Sequence, residues 1–252
     1  MNNFGGPPMT STSQNITRSG RIVVRLNPPE IWNKLNAVGN EMQVETIGRS
    51  LRPRLEYVVE GLDPNKIYSM HVHFERMNRS LLMYEDGVWN EEFDELKDVP
   101  AKTNAFFVGT ETGADWLLYG IDASRLKIFK PRRRGPNVSR EVREQDAARI
   151  LRNEQTMINV RTLCRYVPVL EIYELAGAHN FLCHTAKFDE TKFVVVTNYK
   201  NKDLIKMKTD EILKRTATTN PVSSEPDIKK ERASEARGSS NQGQENEYYP
   251  YN

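Results

Sequence analysis

Lysine and arginine side chains, which can bind anions, are concentrated in two stretches of this sequence. Residues 198–215 contain six basic residues against three acids, and residues 125–152 contain ten against three. Cations at this density suit a polyanion such as nucleic acid. The same composition also occurs on the solvated face of an ordinary amphipathic helix packed on a sheet. Since the net charge of the whole chain is only +2, the placement of the charges must decide between the two.

A compact basic cluster at residues 130–135 admits three interpretations. Its cations are Lys130, Arg132, Arg133 and Arg134. Such a cluster can be a nuclear-localisation signal, a phosphate-binding arm or a solvated loop. The first two roles can coexist, and the residues alone leave all three open.

Thiols and imidazoles are too few and too irregularly spaced to predict a catalytic or metal site. Neither cysteine has a CxxC partner, which favours reduced thiols in the cytosol or nucleus. A hydrolase nucleophile made of a cysteine and a histidine is supported by residue types alone. The sets that could bind a metal are His71 with His73, and Cys164 with His179, Cys183 and His184. Because their spacing is poor, we expect no catalytic residue, no metal and no other cofactor.

The two ends of the chain differ in composition from its middle. Residues 1–20 carry one charge amid Asn, Gly, Pro, Ser and Thr, and residues 216–252 are rich in Ser, Asn and Glu. Both are expected to be disordered tails around a folded domain at residues 21–215. No run of 18 apolar residues and no basic-then-apolar start is present, so neither a membrane span nor a signal peptide is predicted.

Short strands separated by turn signals account for most of the predicted domain. Alternating or β-branched runs predict strands at residues 21–26, 55–60, 67–74, 125–128, 157–163, 169–175 and 193–197. A short helix should follow Pro28, and the charged residues 139–154 have helical character. The acid-rich residues 85–98 are expected to form a solvated loop, and residues 179–184 another loop. This pattern predicts an all-β sandwich with few helices.

A strand is followed by a helix within residues 188–215. Residues 193–197 have the composition of a buried strand, and Asn201 can cap the helix after it. The apolar side of that helix contains Leu204, Ile205 and Ile212, whereas Lys202 and Lys206 lie four apart on another side.

Residues 188–201 (FDETKFVVVTNYKN) resemble the FPETQFIAVTAYQN signature of the T-box family of DNA-binding transcription factors. Six further blocks follow the order of that family. They are residues 31–42 for LWKKFHELGTEMI, 48–53 for GRRMFP, 59–65 for VSGLDPN, 113–116 for GAHW, 125–128 for KLKL and 165–168 for KYQP. Because the blocks cover roughly residues 22–215, the chain is identified as a divergent member of the T-box family.

This resemblance implies a fold, a partner and a cellular role. The implied fold is an immunoglobulin-like β-sandwich with short helices, one of them C-terminal, which holds double-stranded DNA through loops at one end and through its C-terminal helices. The implied site is a TCACACC-like element or a variant of it. The implied role is developmental regulation of RNA polymerase II transcription in the nucleus, with transcriptional co-regulators as further partners. No enzymatic activity, cofactor, small-molecule substrate or membrane is implied.

The resemblance also assigns roles to individual residues. Arg49 matches the arginine of the GR loop that reaches a major-groove guanine, where one guanidinium can bond both O6 and N7. Lys214 and Arg215 are expected to approach the minor groove, drawn by its negative potential. The resemblance implies contacts at or near the phosphate backbone from Lys127, Thr197, Tyr199, Lys200 and Asn201, and the neighbouring cations Arg52, Lys206 and Lys208 are expected to join them.

Departures from the family pattern point to an altered sequence preference. The family's NPFAKGFR segment, whose phenylalanines enter the minor groove, corresponds to residues 212–219, which contain no aromatic residue. Arg52 replaces the phenylalanine of GRRMFP, and Asp115 replaces the histidine of GAHW. Residues 131–154 resemble an insertion. The alternative is therefore a β-sandwich interaction module with weakened or altered DNA contacts.

Overall fold

The computed structural model describes residues 16–19, 21–96, 99–132 and 139–209. The strands of the first half are β1 (Ile16–Ser19), β2 (Ile22–Leu26), β3 (Glu41–Gln43), β4 (Arg49–Ser50), β5 (Glu56–Glu60), β6 (Ile67–Arg76), β7 (Ser80–Glu85) and β8 (Val88–Glu95). Those of the second half are β9 (Phe106–Thr112), β10 (Ile121–Asp122), β11 (Lys127–Phe129), β12 (Ile158–Asn159), β13 (Arg165–Ala176), β14 (His179–Lys187) and β15 (Phe193–Val196).

Helices are few, and most are short. They are α1 (Pro29–Ala37), α2 (Gly113–Tyr119), α3 (Arg140–Glu154), a 3₁₀ turn (Asp189–Thr191) and α4 (residues 202–209). The first helix has proline in its first turn, as predicted, where the missing N–H costs nothing. Among the described residues, no helix is long and apolar enough to cross a bilayer.

Two main sheets form the sandwich. The first has the order β1-β2-β5-β10, and the second has the order β3-β15-β13-β6-β9, with β14 also paired to β13. A small sheet, β12-β11-β4, and the β7–β8 hairpin complete the strands. This arrangement confirms the predicted immunoglobulin-like all-β sandwich with short helices.

The core lies between the two main sheets and consists of alternate residues of their strands. Val24 of β2 and Phe74 of β6 are fully buried there. The Tyr57 ring stacks on Phe188 with centroids 5.8 Å apart, and Phe74 meets Phe193 edge-on at 5.3 Å. Because strand side chains alternate between faces, this packing fixes the register and hence the loops at the ends of the strands.

Several local predictions were wrong, and of the strand predicted at residues 157–163 only Ile158–Asn159 is a strand. Within the predicted tail of residues 1–20, Ile16–Ser19 is a strand that pairs antiparallel with β2 and satisfies its backbone groups. Residues 85–98 are largely β8, because buried Trp89 holds this acid-rich strand on the sandwich. Residues 179–184 belong to β14, which continues from β13 through a turn at Gly177.

Candidate nucleic-acid interface

Arg49 follows a tight turn that only glycine can form. Gly48 has φ +91, and a side chain there would collide with the sulfur of Met157. The guanidinium Nη1 of Arg49 lies 2.6 Å from Oε1 of Glu45, and the side chain is 42% exposed. A guanidinium has five N–H donors, so this ion pair orients Arg49 and leaves donors for a ligand.

Lys127 is placed beside the Arg49 turn by the small sheet. β11 pairs antiparallel with β4, so that Lys127 lies opposite Ser50 and buried Ile128 lies opposite Arg49. The Lys127 side chain is exposed. Two predicted DNA contacts that are far apart in sequence therefore lie on adjacent strands.

The carboxylate of Glu41 organises the segment that follows β15. Glu41 is fully buried, and its Oε2 accepts a hydrogen bond from the backbone N–H of Lys200 at 2.8 Å. Its Oε1 accepts from the backbone N–H of Asn201 at 3.2 Å and from the indole N–H of Trp89 at 3.1 Å. Because a buried carboxylate needs several donors, this arrangement holds the turn and the β7–β8 hairpin in one position.

Asn201 caps helix α4, as predicted. Its Oδ1 accepts from the backbone N–H groups of Asp203 at 2.9 Å and Leu204 at 3.2 Å, and its Nδ2 donates to the carbonyl of Val38 at 2.6 Å. Both ends of the amide are thereby occupied within the protein. The structure therefore does not support the predicted role of the Asn201 side chain in contacting the DNA backbone.

Lys208 lies on the buried side of α4, one turn after Leu204. Its side-chain N–H groups donate to the backbone carbonyl of Glu41, and the ammonium lies 5.2 Å from the centre of the Tyr199 ring. Burial lowers the pKa of Lys208 to about 7, which nearby Arg49 favours and Glu41 opposes. The residue was predicted to contact phosphate, but the i, i+4 spacing from Leu204 turns it inward, so this prediction is corrected.

The Arg49 turn and the segment after β15 meet at Tyr199. Burial raises the pKa of Tyr199, and the guanidinium groups of Arg49 and Arg52 act against that shift. Arg52 is exposed on the solvent side of the turn. The predicted contacts Thr197, Lys200 and Lys206 are exposed as well. One end of the sandwich therefore carries exposed cations from three separate parts of the sequence.

The remaining predicted site residues divide into two groups. Lys130 and Arg132 follow β11 directly, with Lys130 half-buried and Arg132 exposed. The residues that lie outside the described part of the chain are Arg133, Arg134, Lys214 and Arg215. Ile212 of the predicted apolar helix side lies there too, while Ile205 is 42% exposed instead of buried.

The cysteines and histidines do not form a reactive or metal-binding centre in the described ranges. Burial raises the pKa of both the Cys164 and the Cys183 thiol, whereas a nucleophilic cysteine needs a lowered pKa. Across residues 16–19, 21–96, 99–132 and 139–209, no group of three or more His, Cys, Asp and Glu side chains could hold a metal ion.

Three residues of this region had no predicted role. Glu41 lies in a recognised motif, but no local signal marks it as buried, since its neighbours are the polar Asn40 and the apolar Met42. Burial of Trp89 was not predicted, because the residues around it in the sequence are rich in acids. Ile47 is 79% exposed in the turn before Arg49.

Comparison with known proteins agrees with this geometry. The T-box family model matches residues 24–212. The chain belongs to the T-box family. It is 33% identical over 186 residues to the T-box transcription factor tbx-9 of Caenorhabditis elegans, a match that covers 71% of this chain and 58% of tbx-9.

Two further T-box relatives have similar coverage of this chain. T-box protein 37 of Caenorhabditis elegans is 30% identical over 197 residues, 76% of this chain and 57% of that protein. The human T-box transcription factor TBX21 is 27% identical over 201 residues, 76% of this chain and 34% of TBX21. The chain thus spans less than two thirds of the length of each of these relatives.

Proposed function

We propose that this chain is a sequence-specific double-stranded DNA-binding protein that regulates RNA polymerase II transcription in the nucleus. The observation that carries the proposal is that Arg49 and Lys127 lie on paired strands, with Arg49 and Arg52 near Tyr199 of the segment after β15. T-box membership supports it, since relatives such as tbx-9 are named transcription factors. The target is a TCACACC-like element or a variant of it, and transcriptional co-regulators are the further partners.

In this proposal, the exposed groups have distinct tasks. Arg49 reads a guanine in the major groove, because its fork of donors matches O6 and N7. Lys127, Arg52, Thr197, Lys200 and Lys206 contact phosphates and fix the position of the protein without reading sequence. Lys214 and Arg215 keep their proposed minor-groove role. The second candidate, a protein-interaction module, gains weight because Asn201 and Lys208 are occupied internally.

The test is a selection of bound sequences from random duplexes, followed by binding measurements on the selected site with Arg49→Ala and Arg49→Lys. Both substitutions are expected to weaken binding to that site by about 1–3 kcal/mol and to relax discrimination at one G·C pair. Arg49→Lys separates the two effects of the residue, because it keeps the charge but loses the fork.

The matched control is Arg25→Ala. Arg25 is also a partly exposed arginine paired with a glutamate, Glu60, but it lies on β2 away from the candidate interface. It should leave affinity and discrimination unchanged. If no sequence is enriched by the wild type, the interaction module is the better account. If Arg49→Ala weakens specific and scrambled duplexes equally, Arg49 does not read a base.

A further inference from the structure

A cavity of about 670 Å³ lies at the base of the inserted segment and is called here the insertion groove. Its lining includes Thr46 on one lip, and residues from both ends of the insertion form the walls. The charged side chains in the lining are Lys102, Lys130, Arg132, Arg161 and Glu154. None of the family-derived DNA contacts lies in this groove.

The charge of the insertion groove is strongly positive. Lys102 is paired with Glu171 at 2.9 Å. Lys130, Arg132 and Arg161 have no ion-pair partner within the described ranges. The lining holds four cations and one acid, Glu154, and this excess of positive charge favours an anionic ligand, which would reduce the mutual repulsion of the cations.

The walls of the groove are held in place by hydrogen bonds of the Asn104 and Asn159 side chains. The Nδ2 of Asn104 donates to the carbonyls of Glu154 at 2.9 Å and Met157 at 2.7 Å, while its Oδ1 accepts from the N–H of Asn159 at 2.9 Å. The carboxylate of Glu154 accepts from the side chain of Asn159 at 2.7 Å. The one acid of the lining is therefore occupied, and the groove is formed before any ligand binds.

The insertion groove is continuous with the turn that carries Arg49. Thr46 of that turn lines the groove, and the backbone N–H of Lys130 donates to the carbonyl of Glu45 at 3.2 Å. Glu45 also holds the Arg49 guanidinium. A duplex that reaches Arg49 carries one negative charge per ~1.7 Å of its axis, so its backbone offers phosphates near the groove.

We propose that the insertion groove binds phosphates of the DNA flanking the site read by Arg49, with Lys130 and Arg161 as the contacts and Arg132 at the rim. The inference rests on the proposed function and extends it to a surface outside the family's own motifs. A duplex fits better than an acidic peptide, because the groove shares the Glu45–Arg49 turn with the base-reading side chain.

The experiment compares Lys130→Gln, Arg161→Gln and the double variant with wild type on two duplexes. Both duplexes contain the selected site, and one has its flank on the groove side trimmed to the edge of that site. Each substitution is expected to reduce the slope of log K against log salt by about 0.9 on the long duplex. It should weaken specific and scrambled DNA alike, and trimming the flank should abolish the difference from wild type.

Lys66→Gln is the matched control. Lys66 precedes the first residue of β6, whereas Arg76 is its last residue. Only the Arg76 end is near the groove, because Arg76 donates hydrogen bonds to the carbonyls of Val99 and Ala101 in the segment beside it. This variant removes the same charge from a remote position and should keep the wild-type slope. Thermal melts of all variants establish that they are folded.

The outcomes separate this inference from the function on which it rests. If the groove variants have the same salt slope as wild type and Lys66→Gln on the long duplex, the inference is overturned. DNA binding itself would still be supported if discrimination continues to depend on Arg49. The inference would also be overturned if an acidic peptide binds in the groove and the salt slope of DNA binding does not change. Failure of the wild type to bind any duplex would refute the proposed function itself.

Discussion

Glu41 shows how one buried side chain can determine the geometry of the candidate interface without being exposed on it. Its carboxylate fixes the turn at Lys200 and Asn201, and its backbone carbonyl receives the ammonium of Lys208. Helix α4 is therefore attached at both ends to the same residue. This buried attachment fixes the positions of the exposed lysines of α4.

The buried ammonium of Lys208 should make stability depend on pH. In the folded protein burial lowers its pKa to about 7 from the usual 10.5, so between these values the unfolded chain binds more protons than the folded one. The free energy of unfolding must then rise with pH from about 7 towards 10.5. Lys208→Met should remove about 1–2 kcal/mol of that rise between pH 7 and 9 in urea titrations.

Lys206→Met is the control for this prediction, because Lys206 lies on the same helix with its side chain exposed. It should reproduce the wild-type pH dependence. The relevant quantity is the difference in slope, since Lys208→Met also loses the hydrogen bond to Glu41 at every pH. Parallel profiles for Lys208→Met and wild type would show that the lysine is charged in the folded state throughout this range.

Sequence reasoning selected residues that the fold brings together, but it did not orient all of their side chains. Arg49 and Lys127, chosen from separate motifs, lie on paired strands. The inward orientation of Lys208 was not predictable, because a lysine with an apolar stem can occupy an inward helix position when an acceptor such as the Glu41 carbonyl is available. That acceptor is 167 residues away in the sequence, so no local pattern contains it.

At the scale of elements, α3 is an appendage of the sandwich. None of its 15 residues is buried, and it begins with a cap in which Ser139 Oγ accepts from the N–H of Val142 at 3.4 Å. Its last residue, Glu154, is attached to the sandwich through Asn104 and Asn159. The helical character of this segment was predictable from composition, but its position was not.

Removal of α3 should leave the fold intact. Replacing residues 133–152 by about six Gly and Ser residues keeps the crossover near the dozen residues that the parallel β11–β12 pair needs. We expect Tm to change by no more than a few degrees, since no residue of α3 is buried. Asn104→Ala in the intact chain should cost about 1–3 kcal/mol, because it leaves three backbone groups without a partner. The reverse order of effects in thermal melts would mean that α3 is part of the core.

The acid-rich hairpin shows where composition misleads. Seven acids in residues 85–98 predicted a solvated loop. Trp89 instead packs with Leu82, Val194 and Val196. One buried aromatic outweighs several exposed charges, because charges on the outer face of a strand remain in water at little cost.

At the scale of the whole molecule, β1 moves the expected start of the domain. Strand pairing runs from Ile16 opposite Arg25 to Ser19 opposite Ile22. The free energy of unfolding should therefore be about 1–3 kcal/mol higher for a fragment of residues 16–215 than for one of residues 21–215, because β2 has no outer neighbour in the shorter fragment. Both should unfold cooperatively in urea. Equal midpoints would show that β1 contributes nothing, and trimming residues 216–252 is the control expected to have no effect.

The sandwich itself was predictable, because alternation in β2, β5 and β6 marks their inner faces. The order of strands was not predictable from alternation. β3 is three residues long and pairs in parallel with β15. Because the two strands are about 150 residues apart in the sequence, no local pattern indicates this pairing.

The parallel pairing of β3 with β15 has a consequence for biosynthesis. Met42 is made early, but its partner Val195 follows about 150 residues later, roughly 8–30 s at common translation speeds. Until then Glu41 has neither the turn nor the helix that it fixes, and the nearby Arg49 turn has no neighbour after β15. A nascent chain that stalls before Phe193 would thus expose an unfinished sheet edge, a row of unpaired backbone groups with which another chain could pair.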